Sequence, residues 1–593
     1  MNNEYTAKSY AEMTVEERKA KSKFRNKRLL DYAMKLKSTL VFGLFATVIA
    51  SLAELAGPYV ISKILDENLV EGVGAKDYKV FVYLVVIFIA ISIGVGLLRY
   101  FMQMFFAKLA NGMALIIRED VFKHVISLPV QFFDKYPAGK VVTRITNDTQ
   151  DIRMLFQILF FDVFTTVVFT IGLLIGLYLI DPYLFLITLL LSPVVYFIFK
   201  DYIKKSTLYN NDMRRYNSEM NANLNETIQT MEVVQSFNNE DYIYEEYSGL
   251  NDNHFGAGKK LVNLWGYSSF NATNALGNLV IAIAVVYFSL TFLSGKPAIT
   301  IGGLYIFVEY NRRFYQNLNN LSDRIGELEK AKSAADQVFE LLEIGKYEEG
   351  EKVIELDGHI KFDDVTFAYD TEDVLKNIDI DLAPGTSAAF VGHTGSGKST
   401  LMNLIYGFYK IKNGTLSFDG VDINELNMVE MRKQMAIVFQ NPYIFEGTIY
   451  ENIALFDPSI TKDEAELALI NVGGERILMR EKGIEAHIQE GGAGISSGEK
   501  QLISFARAMV RNPKVLVLDE ATSNVDTQTE EYIQFGVNRM KKGRTTLIIA
   551  HRLSTIKDVD MIFVLDKGRI IEKGNHEDLI ARDGVYAKMY KES

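Results

Sequence analysis

The sequence predicts a multi-domain membrane protein, in which an all-α six-helix transmembrane domain with long cytoplasmic helical extensions precedes an α/β domain. Long apolar runs fill the first half of the 593-residue chain, and almost none occur after about residue 325. In the second half, a glycine-rich loop stands between an apolar run typical of a strand and a segment typical of a helix. Because a chain of this length is too long for a single core, we expect two or more domains.

Six apolar segments predict the transmembrane domain. Each is close to the ~20 residues that a helix needs to cross ~30 Å of hydrocarbon. Short connectors with few cations alternate with long cationic ones, so we expect both termini and both long connectors to be cytoplasmic. We predict a cytoplasmic N-terminal segment with an elbow helix over 1–37 and a transmembrane domain over 38–325, with spans near 38–65, 80–106, 156–180, 182–199, 270–293 and 300–322.

The ionisable side chains inside the predicted spans include Glu54, Arg99, Glu309, Arg312 and Arg313. Charge within a span costs at least ~2.5 kcal/mol, so such residues usually face a cavity or a partner. One interpretation is that these residues, Arg99 excepted, line a substrate pathway. The other is that the two arginines of the sixth span lie near the interface or pair with Glu309.

The segment Gly392–Thr400 reads GHTGSGKST and has the spacing of a phosphate-binding loop. Its glycines allow backbone N–H groups to turn inward around a polyphosphate, and the N-terminus of the following helix adds about half a positive charge. Lys398 is expected to reach the terminal phosphates and the Ser399 hydroxyl to hold magnesium. The alternative is a glycine-rich turn before an ordinary helix, but the strand–loop–helix context favours a nucleotide site.

Five further residues have positions that suit nucleotide chemistry: Tyr369, Gln440, Asp519, Glu520 and His551. The tyrosine is placed to stack on an adenine, and the glutamine follows an apolar strand from which it could contact magnesium. Asp519 would hold the metal and Glu520 would polarise the attacking water. The histidine would bond the γ-phosphate. Taken singly, each has a structural alternative: a core tyrosine or histidine, or a solvated strand end.

These residues, in the order Tyr369, GHTGSGKST, Gln440, ISSGEKQ, VLVLDEATSNVD and IAHRLST, resemble the nucleotide-binding domain of an ATP-binding cassette (ABC) transporter. With six spans ahead of it, the chain resembles the multidrug type of half-transporter exporter. Residues 128–148 and 226–237 resemble the intracellular connectors of that family. The resemblance implies an α/β P-loop ABC ATPase domain over 358–593, after a linker over 326–357.

The resemblance also implies ATP and Mg²⁺ as cofactors and assigns roles by motif. The residues that it implies for ATP binding are Tyr369, Gly392, Thr394, Gly395, Ser396, Gly397, Lys398, Ser399, Thr400 and Gln440. The metal ligands would be Ser399, Gln440 and Asp519, the catalytic residues Glu520 and His551, and the D-loop residue Asp526.

In this family two cassettes sandwich two ATP molecules, each held by the phosphate loop of one cassette and the signature motif of the other. The signature here is Ile495, Ser496, Ser497, Gly498 and Glu499, where the family pattern is L-S-G-G-Q. Ser497 adds a side chain where the backbone should approach phosphate closely. Glu499 places a carboxylate near a polyanion, and at ~4 Å two like charges repel by at most ~4 kcal/mol in a surface-like dielectric.

Intact catalytic motifs with a departing signature resemble the catalytic-glutamate half of heterodimeric exporters of the LmrCD or EfrCD type. The resemblance implies an ATPase-coupled exporter of small amphipathic compounds, embedded in lipid of a bacterial cytoplasmic membrane. Its partner would be a second half-transporter with a degenerate Walker B glutamate position. A homodimeric lipid or lipopeptide exporter and a non-hydrolysing regulatory half are the alternatives. The net charge of −11 argues against a nucleic-acid partner, and the lack of cysteine excludes disulfides.

Overall fold

The computed structural model describes residues 14–70, 78–294, 298–345, 350–411, 413–519, 527–550 and 556–592. The described chain divides into two compact units. A helical unit contains the residues up to 127 and those from 136 to 344, and an α/β unit contains 128–135 and the residues from 345 onward. The predicted catalytic residues Glu520 and His551 and the predicted D-loop residue Asp526 lie outside the described residues.

Apart from short connections, the described chain is helical from Val15 to Glu343. In chain order the helices are α1 (Val15–Lys35), α2 (Lys37–Ile64), α3 (Tyr78–Val125), α4 (Val130–Lys135), α5 (Ala138–Thr143), α6 (Thr149–Phe156), α7 (Phe164–Ile180), α8 (Pro182–Gln229), α9 (Met231–Ser236), α10 (Glu240–Leu264), α11 (Asn271–Leu293) and α12 (Ile301–Glu343). Turns of π-helix extend or join them at Leu65–Val70, Arg144–Asp148, Gln157–Val163 and Trp265–Phe270.

Five continuous helical stretches within the described chain are long and apolar enough to cross a membrane. They are Lys37–Glu67, Tyr78–Val125, Ala138–Ile180, Pro182–Gln229 and Glu240–Leu293. The sixth predicted span forms the first part of α12, which is helical without interruption to Glu343. Because α12 carries charged and amide side chains, it is less apolar than the other five stretches.

Local capping explains where two of the long helices begin. The Asp181 carboxylate accepts hydrogen bonds from the backbone N–H groups of Tyr183 (2.8 Å) and Leu184 (3.0 Å), and Pro182 follows as the first residue of α8. At the start of α12, the Thr300 hydroxyl accepts from the Gly303 N–H at 2.9 Å. These caps satisfy N–H groups that have no partner within their helices.

Glycine allows α12 to pack closely against its neighbours. A Cβ on Gly176 of α7 would lie 2.5 Å from the Tyr310 ring, and one on Gly277 of α11 would lie 3.1 Å from the Tyr315 ring. The buried Asn311 side chain donates to the Gly277 carbonyl at 3.0 Å. Small residues and interhelical hydrogen bonds of this kind hold helices together where lipid supplies no hydrophobic driving force.

The α/β unit contains twelve described strands and further helices. The strands are β1 (Ile360–Ala368), β2 (Asp373–Leu382), β3 (Ser387–Val391), β4 (Asn413–Phe418), β5 (Val421–Asp422), β6 (Met435–Val438), β7 (Gly447–Thr448), β8 (His487–Ile488), β9 (Val515–Asp519), β10 (Thr545–Ile549), β11 (Met561–Asp566) and β12 (Arg569–Gly574). The helices are α13 (Lys398–Ile405), α14 (Met428–Met431), α15 (Ile449–Ala454), α16 (Lys462–Asn471), α17 (Glu475–Leu478), α18 (Ser497–Met509), α19 (Thr527–Met540), α20 (His576–Ala581) and α21 (Val585–Glu592).

A six-stranded sheet of order β12-β11-β3-β10-β9-β6 forms the centre of this unit, and all its pairs are parallel except β11 with β12. A second, separate sheet has four antiparallel strands in the order β2-β1-β4-β5. Successive residues of β3 enter opposite apolar clusters, Ala389 and Val391 on one face and Ala388 and Phe390 on the other. Burial on both faces explains why the central strands read as continuous apolar runs.

Candidate functional site

The phosphate-binding loop follows β3 and ends at the first residue of α13, as the sequence predicts. Gly397 is the N-cap of α13 and has a φ of 105°, a left-handed conformation that favours glycine. A Cβ on Gly392 would lie 2.3 Å from the Leu565 carbonyl oxygen, so a larger residue would displace the loop from β11. These two positions therefore require glycine for backbone reasons.

Lys398 is buried and extends back across the loop. Its ammonium group donates to the carbonyl oxygens of Gly392 (2.7 Å) and His393 (3.1 Å). Thr394 and Gly395 are exposed at the tip of the loop, whereas Ser396 is buried with its hydroxyl oxygen lacking a hydrogen-bond partner. The loop thus places a cationic group at the N-terminus of a helix, an arrangement that suits a polyphosphate.

The carboxyl ends of four neighbouring parallel strands meet beside this loop. Ile549 of β10 pairs with Phe390 of β3 on one side and with Asp519 of β9 on the other. On the far side of β9, Val438 of β6 pairs with Leu518, and β6 ends two residues before Gln440. The sheet therefore brings the predicted metal ligands Asp519 and Gln440 to the edge where the loop begins. Ser399 is exposed in the first turn of α13.

Tyr369 lies just after β1 and is connected to the same helix. Its hydroxyl donates to the Thr400 hydroxyl (3.3 Å) and accepts from the Asn403 amide (3.0 Å). Its ring makes an edge contact with the Tyr409 ring at a centroid distance of 4.8 Å and is 40% exposed. An exposed aromatic ring held beside the phosphate loop is suited to stacking on a base.

The signature segment begins α18. Ser496 is the N-cap and forms a capping box with Glu499: the Ser496 N–H donates to the glutamate at 2.8 Å and the Glu499 N–H donates to the serine hydroxyl at 3.2 Å. Ser497 is exposed, Gly498 is buried and Ile495 packs against the apolar core. The departure from the family glutamine therefore serves the helix start locally.

Arg480 pairs with the same glutamate, a contact that the sequence analysis missed. One guanidinium nitrogen lies 2.8 Å and 2.9 Å from the two Glu499 carboxylate oxygens. Burial alone would raise the pKa of Glu499, but hydrogen bonds from Arg480 and the Ser496 N–H outweigh it and lower that pKa. No local pattern signals this pair, because the arginine lies 19 residues earlier and only the fold brings it close.

The five charged side chains that the sequence analysis singled out form one alternating network in the helical unit. Arg99 pairs with Glu54, which is 3.2 Å from Arg313; Arg313 lies 2.7 Å from Glu309, and Glu309 lies 2.9 Å from Arg312. All five side chains line a cavity of about 320 Å³, together with neutral polar groups of α7 and α12. Glu309 thus pairs with both arginines, as one interpretation predicts, and the substrate pathway stays a prediction.

Comparisons with known proteins agree with this geometry. The family described as ABC transporter transmembrane region matches residues 40–318, and the family described as ABC transporter matches residues 375–523. YheH of Bacillus subtilis (strain 168), named a probable multidrug resistance ABC transporter ATP-binding/permease protein, is 42% identical over 486 residues, which are 81% of this chain and 72% of that protein. This chain belongs to the ABC transporter family.

Two further relatives define what kind of ABC transporter it resembles. A solved bacterial Atm1-family ABC exporter with ATP bound has a TM-score of 0.79 and 27% identity, over 94% of this chain and 98% of that one. A fatty acid ABC transporter ATP-binding/permease protein of Mycobacterium bovis is 35% identical over 80% of this chain and 75% of that protein. These comparisons confirm the predicted fold class, and they confirm that the chain is a multi-pass, ATP-hydrolysing ABC exporter of the multidrug type. ABC exporters of this kind function as dimers.

Proposed function

We propose that this ABC exporter is the hydrolysis-competent half of a heterodimer that moves amphipathic compounds outward across the cytoplasmic membrane. The observation that carries the proposal is the contrast within one cassette. The phosphate loop, Lys398 and Asp519 keep the family pattern and converge at one sheet edge, whereas the signature departs from that pattern at Ser497 and Glu499. The partner would supply a better signature to this chain's ATP and would lack the Walker B glutamate itself.

The residues at the sheet edge fit Mg²⁺ bound together with ATP. Mg²⁺ prefers oxygen ligands and usually takes one or two from protein carboxylates, the rest coming from phosphates and water. Ser399 offers a hydroxyl, Asp519 a carboxylate and Gln440 an amide oxygen, and strand pairing brings the last two to the loop. The bound ion would neutralise charge on the phosphates, while Lys398 and the loop amides would hold them in place.

We assign the proton and water chemistry to two residues outside the described chain. Glu520 follows Asp519 directly and would orient and polarise the attacking water, while His551 would donate to the γ-phosphate. Tyr369 would stack on the adenine, and Asp526 would act as the D-loop aspartate toward the opposite cassette. Ile495, Ser496, Ser497, Gly498 and Glu499 would face the partner's ATP.

We also propose a division of the chain along the predicted boundaries, with the transmembrane domain at 38–325, a linker at 326–357 and the cassette at 358–593. Both termini would be cytoplasmic, because Lys and Arg concentrate in the N-terminal segment and the long connectors. The protein would reside in the cytoplasmic membrane of a bacterium, since relatives from bacteria share both halves.

Replacing Glu520 by Gln tests the central proposal. The variant keeps the shape of the side chain but removes the carboxylate that would polarise water, so ATPase activity of the assembled exporter should fall at least ~100-fold while ATP binding persists. The measurement is ATP hydrolysis, with and without drug, by this chain purified together with its partner half-transporter.

A surface glutamate of the same cassette provides the matched control. Glu425 pairs with Lys352 at 2.6 Å on the surface, so Glu425→Gln should leave turnover unchanged. If about half of the activity survives in Glu520→Gln, the partner's site also hydrolyses ATP, and the proposal of one competent and one degenerate site fails. The same proposal fails if this chain alone hydrolyses ATP as fast as the complex.

A homodimeric exporter of lipids is the second candidate, and the fatty acid transporter among its relatives favours it. Purification of the tagged chain from cells that lack every other half-transporter distinguishes the two. A stable dimer whose ATPase activity is stimulated by fatty acids, but not by amphipathic drugs, would support the homodimer.

We propose that the network of Glu54, Glu309, Arg312 and Arg313 belongs to the substrate pathway. Its cavity is at the lower end of the size range of ligand pockets, and ionisable groups within spans usually mark such pathways. Glu309→Gln removes the charge that pairs with both arginines, so it should alter which compounds stimulate ATPase activity while leaving the basal rate. Asp201→Asn, which breaks a surface pair with Lys205, serves as the control.

A further inference from the structure

Glu499 is bound on three sides at the start of the signature helix. It accepts from Arg480 at 2.8 and 2.9 Å and from the Ser496 N–H at 2.8 Å, and its own N–H donates to the Ser496 hydroxyl. Both charged side chains are partly buried, with 35% of Arg480 and 28% of Glu499 exposed. The carboxylate therefore has a fixed position and a fixed counter-charge.

The fold holds the backbone of the arginine in place. Arg480 follows α17, whose Ile477 is buried in the same apolar cluster as Ile503 of the signature helix. The Arg480 carbonyl accepts from the Gly483 N–H at 2.8 Å, which closes a backbone turn at this residue. Helices α17 and α18 thus hold the pair as two packed elements.

An unpaired carboxylate in this place would oppose the function proposed for the segment. A glutamate in the first turn stabilises its own helix, because it complements the positive end of the helix dipole. The same negative charge would repel a nucleotide phosphate that approaches the free N–H groups of that turn. The guanidinium removes this conflict, since the pair is neutral while the capping bonds stay in place.

We propose that Arg480 is a positioning residue of the signature, which cancels the charge of Glu499 so that the start of α18 can still accept the phosphate of the opposite cassette's ATP. The inference rests on the proposed function, because it presumes that two cassettes share each nucleotide. It departs from the expectation that Glu499 by itself weakens this site, because the substitution comes with its own compensating cation. The weaker signature of the proposed function then depends on Ser497. Lys500, whose ammonium donates to the Gly491 carbonyl at 2.7 Å, adds a second cation nearby.

A double-mutant cycle tests this inference in the full-length exporter assembled with its partner half. The variants are Arg480→Ala, Arg480→Lys, Glu499→Gln and the double variant Arg480→Ala/Glu499→Gln, each in a Glu520→Gln background that retains ATP. The measurement is the ATP concentration at which each of the two sites is half-saturated with radiolabelled ATP, at low and high salt, with thermal stability recorded in parallel.

We expect Arg480→Ala to raise the half-saturating ATP concentration of one site roughly tenfold, because an uncompensated carboxylate then faces the phosphates. The double variant should return to within about twofold of the parent, because no charge is left to cancel. Arg480→Lys should stay near the parent, and high salt should reduce the defect of Arg480→Ala.

Two results would overturn the inference. If Arg480→Ala lowers thermal stability but leaves ATP binding unchanged, the pair is only a structural brace. If the double variant binds ATP as weakly as Arg480→Ala, the arginine acts on the nucleotide directly and not through Glu499. ATPase activity of the exporter without the Glu520 substitution separates this failure from a failure of the proposed function. A complex that does not hydrolyse ATP contradicts the proposed function, whereas an active complex confines the failure to the role of Arg480.

Discussion

Asp560 fixes the start of β3, the strand that leads into the phosphate loop. Its carboxylate accepts from the Ser387 N–H and the Ser387 hydroxyl, both at 2.7 Å, and its own N–H donates back to that hydroxyl at 3.1 Å. Hydrogen bonds from the Ser387 backbone and side chain lower the pKa of Asp560. A single exposed side chain thereby anchors the strand on which the loop depends.

The lowered pKa of Asp560 predicts a pH-dependent effect of Asp560→Asn. Because the folded pKa lies below the unfolded value of ~3.9, the charge contributes its full stability above that value and loses it as pH falls through the folded pKa. At pH 7, Asp560→Asn should therefore lower the free energy of unfolding by about 1 kcal/mol, a small effect because the site is exposed to solvent. The difference in unfolding free energy between this variant and the parent should shrink below about pH 4. Urea-dependent proteolysis of the cassette in the full-length protein measures this.

The control for that experiment is Asp363→Asn, since Asp363 lies on β1 at the surface, 3.7 Å from Lys361. This variant should unfold at the same urea concentration as the parent at every pH. A difference between Asp560→Asn and the parent that stays constant down to pH 3 would show that the hydrogen bonds to Ser387 do not depend on the charge.

Residues of the nucleotide site differ in how far sequence predicts them. The loop from Gly392 to Lys398 is one local segment, so its spacing specifies its structure and the glycines have the conformations that the pattern requires. The Arg480–Glu499 pair joins two segments that are separate in sequence. Its formation depends on how α17 and α18 pack, which no spacing rule encodes. The sequence therefore predicts a charge conflict at the signature, and the structure adds an arginine that pairs with the glutamate.

At the scale of elements, a set of three ion pairs joins α1 to the last part of α12. Lys21 pairs with Glu340, Arg25 with Asp336 and Arg28 with Glu343. The residues on each helix are spaced three or four apart, so each set lies on one helix face. Because α12 continues to Glu343, the pairs brace the segment that precedes the cassette. The sequence predicts an elbow helix within 1–37 and a linker over 326–357, but pairing across more than 300 residues follows only from the packing.

Of the three ion pairs, that of Arg25 with Asp336 should contribute most to stability. Arg25 and Asp336 are 2.9 Å apart and almost fully buried, whereas the outer pairs are more exposed. Removing one partner leaves the other charge buried, so Arg25→Ala should destabilise the helical unit by about 3 kcal/mol. Thermal unfolding of the purified exporter, followed by scattering and by loss of α1 protection in hydrogen exchange, measures the change.

Apolar replacement of both partners separates charge burial from packing. Arg25→Met combined with Asp336→Leu removes the charges and keeps side-chain volume, so it should be near neutral. Arg28→Ala, at the more exposed outer pair, should cost at most ~1 kcal/mol. If the double variant is as unstable as Arg25→Ala, the ion pair itself supplies stability and the argument from desolvation is wrong.

At the scale of the whole molecule, one short helix belongs in sequence to the connector between spans and in structure to the α/β unit. Helix α4, which lies between α3 and α5 in the chain, is part of the unit that contains the cassette. The Gln131 amide donates to the Phe408 carbonyl at 3.0 Å, and the Tyr409 hydroxyl donates to the Asp134 carboxylate. The sequence predicts only that 128–148 resembles an intracellular connector, because a six-residue helix carries too little pattern to reveal its partner.

The Tyr409 hydroxyl therefore offers a way to separate ATP hydrolysis from transport. Tyr409→Phe keeps the ring that packs against Phe367 and Tyr369 but removes the bond to Asp134. Basal ATPase activity should change less than about twofold, whereas stimulation by drug should fall several-fold, since movement of α4 with the cassette is then less tightly constrained. Asp134→Asn keeps an acceptor for the hydroxyl and should be nearly normal. ATPase and drug transport assays in proteoliposomes measure both quantities, and a parallel loss of basal and stimulated activity in Tyr409→Phe would instead assign the tyrosine to the structure of the nucleotide site.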